Sequence, residues 1–356
     1  MSFSSRMLAA TYTQGGCFAV QEVPAPTILE DELLLRVTAA SICGTDIRII
    51  RNGHRKLKPG QRVILGHEFV GIVERVGSHV EGFKVGERVG IAPNAGCGRC
   101  SACLRGKSNY CPEYSAFGID QDGGHAPWVK IPARFLIQGN VISLPANISD
   151  QEAALLEPFS CVVNGVRTAR VELGDRVVIY GAGPIGLMHV MLCRIAGAAK
   201  IIVVDPRTDR LEKALSLGCD VAINPQEGSV LDRLRSETNG EGADVVITAC
   251  SVPEVQSEAV RILAPFGRVC LFGGLSNNVG LVPLDTNAIH YGSLAVTGST
   301  GGCVEDYRTA LKLVGGRRVF LERLISDIFP LHDLQRAYDK ALSGAEGRIV
   351  LVAKRP

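Results

Sequence analysis

Between Arg176 and Phe272 the chain alternates two kinds of segment. Short apolar, largely β-branched runs (Arg176–Tyr180, Lys200–Val204, Asp244–Thr248 and Gly267–Phe272) alternate with longer stretches of helical spacing (Ile185–Ala196, Arg207–Leu217, Val230–Glu237 and Val255–Leu263). Strands that lack polar alternation and are joined by helices predict a parallel sheet covered on both faces. Residues of about 7–145 differ in texture. There Leu33–Val37, Gly66–Val76, Arg88–Ala92 and Ala126–Ile131 read as short strands broken by Gly, Pro and Asn. A basic loop from Arg48 to Lys58 and a Cys-rich lobe from Cys97 to Cys111 interrupt them. Asp150–Ala169 reads as one helix with Ser149 or Asp150 as its N-cap. Past Gly298, helical segments at Asp306–Leu313 and Leu331–Leu342 precede a closing strand, Gly347–Ala353.

Composition narrows the function classes. The 356 residues hold 38 Lys+Arg against 36 Asp+Glu, a net charge of +2, which gives no electrostatic case for a nucleic-acid or membrane-surface partner. A hydrophobic share of 46% with 21% charged residues matches a packed globular protein, and the length favours two cores over one. The opening Met1–Ala10 has no apolar run of signal-peptide length, and Val177–Val204, interrupted by His189, Arg194 and Lys200, fails as a membrane span. Twelve cysteines without an export signal predict metal ligands or free thiols, not disulfides. A soluble cytoplasmic protein is expected.

Two local motifs carry chemistry. Gly181-Ala-Gly183-Pro184-Ile185-Gly186 follows a strand and opens a helix, and the next strand ends at Asp205, about 20 residues on. Gly181 permits the tight turn, Gly183 lets a pyrophosphate approach the backbone, and Gly186 lets helix and strand pack closely. Asp205 would accept hydrogen bonds from ribose hydroxyls and repel a 2′-phosphate, which favours NAD over NADP. Arg207 close by keeps NADP open, and Arg210 joins the cofactor-binding set with Pro184 and Ile185. The second motif places Cys97, Cys100, Cys103 and Cys111 in two short Cys-x-x-Cys turns and a returning loop. Four thiols so spaced fit one tetrahedral structural zinc, with an iron–sulfur cluster as the rival.

A third group is dispersed: Cys43-Gly-Thr45-Asp46, Gly66-His67-Glu68 and Leu156-Glu157-Pro158. No local spacing joins these segments, and each alone also reads as ordinary packing or a surface acid. Their order together with the four-cysteine lobe and the glycine loop resembles the zinc-dependent medium-chain dehydrogenases, and within them the polyol (sorbitol) and threonine dehydrogenase branch. The likeness covers nearly the whole chain. It implies a chaperonin-like (GroES-like) β-barrel catalytic domain over 1–155 with the structural zinc lobe at 97–111. A Rossmann doubly wound parallel sheet binding NAD would span 156–298, with 299–356 returning to the catalytic domain, and a catalytic zinc would lie in the cleft between domains.

The same resemblance implies roles. Cys43 and His67 would ligate the catalytic zinc, and Glu68 and Glu157 would complete its shell or hold its water. Asp46 would orient the His67 ring, Thr45 would touch the substrate oxygen and start proton removal, and His54 would end that relay. Zinc would polarise the alcohol while NAD accepts a hydride.

The substrate expected is a secondary alcohol of a polyol, sugar or cyclitol. Arg48, Arg51, His54, Arg55, Lys56 and Lys58 would suit a phosphate or carboxylate on it, against the plain reading of a solvated basic loop. His125 and Trp128 are expected to line the cleft. The rivals are L-threonine 3-dehydrogenase and a non-catalytic NAD-binding protein. The family's habits imply a homodimer or homotetramer.

Overall fold

The computed structural model describes residues 5–276, 279–344 and 347–353, so the first four residues of the opening segment read for export lie outside it. The chain divides into two compact units, 1–160 with 302–356, and 161–301. The divisions fall a few residues later than at 155/156 and 298/299, because the helix Leu156–Ala169 runs across the first of them. No helix among the described residues is long and apolar enough to cross a membrane.

In the second unit, all six strands are parallel, in the order Val221–Ile223, Lys200–Val204, Arg176–Tyr180, Ala243–Thr248, Leu263–Leu271, Ala295–Gly298. The strand order reverses between Arg176–Tyr180 and Ala243–Thr248, the topological switch point at which doubly wound sheets bind ligands. Val178, Ile202 and Val246 are wholly buried there, as strands covered on both faces require. Leu263 already belongs to a strand, so the helix expected over Val255–Leu263 is the shorter Pro253–Glu258.

The helix Pro184–Ala196 is apolar except at Arg194 in its last turn and at His189, which is 0% exposed, sits edge-on to Phe272 at 4.7 Å, and has no hydrogen-bond partner on either ring nitrogen. Burial pushes its pKa down to about 3. The unfolded chain therefore binds a proton that the folded chain refuses between about pH 6.5 and pH 3, and stability falls as pH falls through that window. Substitution His189→Leu is expected to widen the stability gap over the parent by about 2–3 kcal/mol between pH 7.5 and pH 4.5. Chemical denaturation at both pH values measures it, and a gap that stays constant rules the effect out.

The first unit holds a three-stranded sheet (Phe18–Pro24, Arg6–Thr13, Arg62–Ile64), a seven-stranded sheet centred on Leu33–Ser41, and the two-stranded ribbon Asn94–Ala95 with Ser115–Ala116. The strand Arg348–Val352 pairs antiparallel with Leu33–Ser41, Val350 opposite Ser41, which returns the end of the chain to this unit. The carboxylate of Glu152 reinforces that return, accepting from Leu321 N at 3.0 Å and Arg317 Nη1 at 2.7 Å.

Two expectations need correction here. Asp150–Ala169 is two helices, Asp150–Ala153 and Leu156–Ala169, with Ser149 as the N-cap of the first. Pro158 has no N–H, and its ring clashes with the carbonyl four residues back, so one helix cannot run through Ala154. The supposed basic loop begins as the helix Gly44–Asn52. Asp46 starts it by accepting from Cys43 N at 2.9 Å, and Gly53, at φ +70°, ends it.

Candidate metal and cofactor sites

Cys43 is the N-cap residue of the helix Gly44–Asn52, while His67 and Glu68 sit where the chain enters the strand Glu68–Val76. Ser41 pairs with Glu68 across the sheet, which brings these segments together. One donor atom each from Cys43, His67 and Glu68 lie within 4.8 Å of one another. His67 and Glu68 are buried, and Cys43 is partly so. Asp46, 0% exposed, accepts from Gly66 N at 3.2 Å and places Oδ1 3.6 Å from His67 Nδ1. Burial opposes a charge on the His67 ring, yet Cys43 and Asp46 raise its pKa well above the ordinary value. A sulfur and two carboxylates drawing positive charge onto one buried point are the conditions that a divalent cation satisfies. Glu68 Oε1 also has no hydrogen-bond partner. The residues therefore fit zinc.

Glu68 is held from its other oxygen. Oε2 accepts from Ser41 Oγ and from Arg348 Nη2. Sequence reasoning missed Arg348, which lies in the last strand, 280 residues from Glu68. Burial works against its charge, but Glu68, Cys43 and Glu157 raise its pKa. Glu157 is buried at the start of its helix and lies outside the three-residue donor group. Thr45 occupies the second helical position after Cys43, partly exposed.

His125 does not line a cavity. It is 0% exposed, with Nε2 3.1 Å from the Ser41 carbonyl and Nδ1 2.6 Å from the Tyr338 hydroxyl. A carbonyl only accepts, so Nε2 carries the proton and Tyr338 O–H donates to Nδ1. This buried chain from Tyr338 through His125 braces Ser41, and Ser41 in turn bonds Glu68. Trp128 packs against a small cluster containing Met7, Ala9 and Val23.

Cys97, Cys100, Cys103 and Cys111 also converge, their sulfurs within 4.8 Å of one another, and all twelve cysteines are free of disulfides. Cys97 N donates to Cys111 Sγ at 3.2 Å and Cys100 N to Cys97 Sγ at 3.3 Å. The backbone N–H groups of Arg99 and Cys100 lower the Cys97 pKa to about 6. Four sulfurs, some stabilised as thiolates, fit a closed tetrahedral zinc site.

The glycine loop has the steric signature of a dinucleotide cradle. Gly181 takes φ +99°, and a Cβ on Gly186 would lie 1.8 Å from Gly181 O, which no side chain could survive. Gly183, the N-cap of the helix Pro184–Ala196, has open space where its Cβ would be. Asp205, 4% exposed, accepts from Ala182 N at 2.7 Å and Arg207 N at 2.9 Å, with Arg210 Nη1 4.0 Å away. The Arg207 side chain pairs with Asp209 at 2.9 Å. These residues fit NAD at the positive end of the helix.

A model of the alcohol dehydrogenase GroES-like domain matches residues 29–144, and one of the zinc-binding dehydrogenases matches 184–315. An L-threonine 3-dehydrogenase of Bacillus velezensis is 34% identical over 94% of each chain. A sorbitol dehydrogenase of Bacillus subtilis is 32% identical over 91% of this chain and 90% of its own. A zinc-binding dehydrogenase of Sinorhizobium meliloti bound to NADP superposes with a TM-score of 0.89 at 30% identity, covering 98% of this chain and all of that one. The chain belongs to the zinc-dependent medium-chain dehydrogenases, oxidoreductases built from a GroES-like domain and a Rossmann domain that use zinc and a nicotinamide dinucleotide.

Proposed function

We propose that the protein oxidises a secondary alcohol of a polyol, sugar or cyclitol with NAD. The observation that carries this reading is the convergence of Cys43, His67 and Glu68 from separate segments into one buried donor group. Zinc there, when bound, supplies Lewis-acid polarisation of the alcohol, and NAD supplies the hydride acceptor. Cys43, His67 and Glu68 hold the metal, and Asp46 fixes the ring of His67. Glu157 adds a buried carboxylate whose field reaches Arg348. The hydroxyl of Thr45, one turn or less from Cys43 along the helix, accepts the substrate proton at Oγ1 and passes it towards solvent. Cys97, Cys100, Cys103 and Cys111 hold a structural zinc.

L-Threonine is the second substrate candidate, supported by the threonine dehydrogenase relative. Metal analysis with an NAD-coupled panel of sorbitol, other polyols and threonine tests both readings. Roughly two zinc ions per chain and activity on a polyol are expected. A metal-free protein, or one that turns over no alcohol, overturns the assignment.

Asp205 supports NAD over NADP. The substitution Asp205→Asn is expected to raise KM for NAD about tenfold and to raise the NADP:NAD ratio of kcat/KM by more than that. An unchanged ratio would show that the carboxylate takes no part in the choice.

A further inference from the structure

We propose that Arg48, on the helix Gly44–Asn52, forms an anion clamp with His54 and Arg55 just past its end, and that the substrate alcohol carries a phosphate or carboxylate a short carbon chain away from the carbon that is oxidised. This rests on the reading that chemistry occurs at Cys43 and His67.

The structure sorts the basic residues of this segment. Lys56 is spent: its Nζ lies 3.6 Å from Asp120 Oδ2 and 3.6 Å above the Tyr114 ring, and donates to Tyr114 O. Arg51 donates to Leu342 O at 3.4 Å, tying it to another helix. Arg48 and Arg55 are exposed, and among the described residues neither has a carboxylate in ion-pair reach. Both stand close enough to His54 for their charge to act on it, and the carboxylate of Asp120 acts on it in the opposite sense. Around this half-buried ring the charges of Arg48, Arg55 and Lys56 act in one sense and that of Asp120, already paired with Lys56, in the other.

His54 is oriented as a donor. Lys56 N donates to its Nδ1 at 3.3 Å, so in the neutral ring Nε2 carries the proton. Burial, followed by the charges of Arg55 and Lys56, holds its pKa below the usual range, consistent with a locally positive field. A proton donor in such a field suits an anion better than the relay base suggested by sequence.

The turn that presents these groups is fixed. His54 N donates to Gln14 Oε1 at 3.0 Å, and a Cβ on Gly53 would lie 2.7 Å from that oxygen. Thr45 and Arg48, three residues apart, share one helix face. Arg48 stands about 7.5 Å along the axis from Cys43, within reach of the far end of a small sugar acid or sugar phosphate.

The test uses the full-length, zinc-loaded protein. Calorimetric titration with inorganic phosphate and with acetate is combined with NAD-coupled turnover of sorbitol, sorbitol 6-phosphate and gluconate. The clamp predicts kcat/KM at least about tenfold higher for one anionic alcohol than for sorbitol, expressed through KM. The phosphate and carboxylate arms tell which anion is read. Arg48→Gln and Arg55→Gln should each reduce the anionic-to-neutral ratio about tenfold, and Arg48→Lys should recover part of it. The phosphate titration reports on the clamp even if none of the three alcohols is oxidised, so failure of the dehydrogenase reading remains distinguishable. Equal KM for neutral and anionic alcohols without phosphate binding overturns the clamp. So does an anion preference that survives the Arg48→Gln/Arg55→Gln double substitution.

Discussion

Substituting Cys43→Ser or His67→Ala is expected to cut turnover by at least about a thousandfold while NAD affinity stays within about twofold. The asymmetry follows from where the two sets of groups sit. Cys43 and His67 belong to the first unit, whereas Gly181, Gly183 and Asp205 belong to the second. Sites that share no partners respond independently. Removing the sulfur or the imidazole leaves two of the three convergent donors, too few for a closed, strongly bound ion, and leaves Asp46 buried beside a vacated position. NAD titration, zinc content and a melting curve on each variant separate the outcomes. Turnover near the parent level would remove zinc chemistry at this position. A collapse of NAD binding and of melting temperature together would instead make these residues structural.

The sequence was most legible where function depends on contiguous residues. The strands Arg176–Tyr180 and Lys200–Val204 run as the apolar pattern predicts, because a strand covered on both faces cannot hide its composition. The glycine loop and the four-cysteine lobe were readable for a similar reason: their geometry is enforced by spacing of a few residues. The strand Arg6–Thr13 was less visible, since its apolar and polar positions follow neither period cleanly. The helix Gly44–Asn52 lacks a Ser or Asn at its N-cap and carries three charged residues, so its pattern resembles a loop.

At the dispersed site, legibility ended with the long-range pairing. Cys43, His67 and Glu68 could be joined only through family likeness, although one register, Ser41 opposite Glu68, suffices to assemble them. His125 was read as a lining residue because a His beside glycines looks exposed. Its partners, Tyr338 and the Ser41 carbonyl, come from segments that no local pattern connects. Arg348 was invisible for the same reason, one basic residue in an otherwise apolar closing strand.

That arginine carries the second large expectation. Arg348→Met should cost about 3–5 kcal/mol in the stability of the first unit. Glu68 is 0% exposed, and the Arg348 side chain only 6%, so the substitution leaves a carboxylate in a dry interior with Ser41 as its remaining donor to Oε2. In the zinc-free protein such a charge loses its hydration on folding and then has no counter-charge to offset the loss. Replacing both partners, Arg348→Met with Glu68→Leu, should recover much of that stability, because an apolar pair of similar size needs no compensation. Activity should not recover with it. If Glu68 is a metal donor, the double substitution removes a donor and turnover stays low even as the fold is restored. Hydrogen exchange in the strand Arg348–Val352, denaturant melting and zinc content follow the two effects apart. A single variant that loses less than about 1 kcal/mol, or a double variant no more stable than the single, would mean that the pair is already hydrated and contributes little. Restored stability with restored turnover would instead make Glu68 a purely structural acid and leave the metal to Cys43, His67 and a third group such as Glu157.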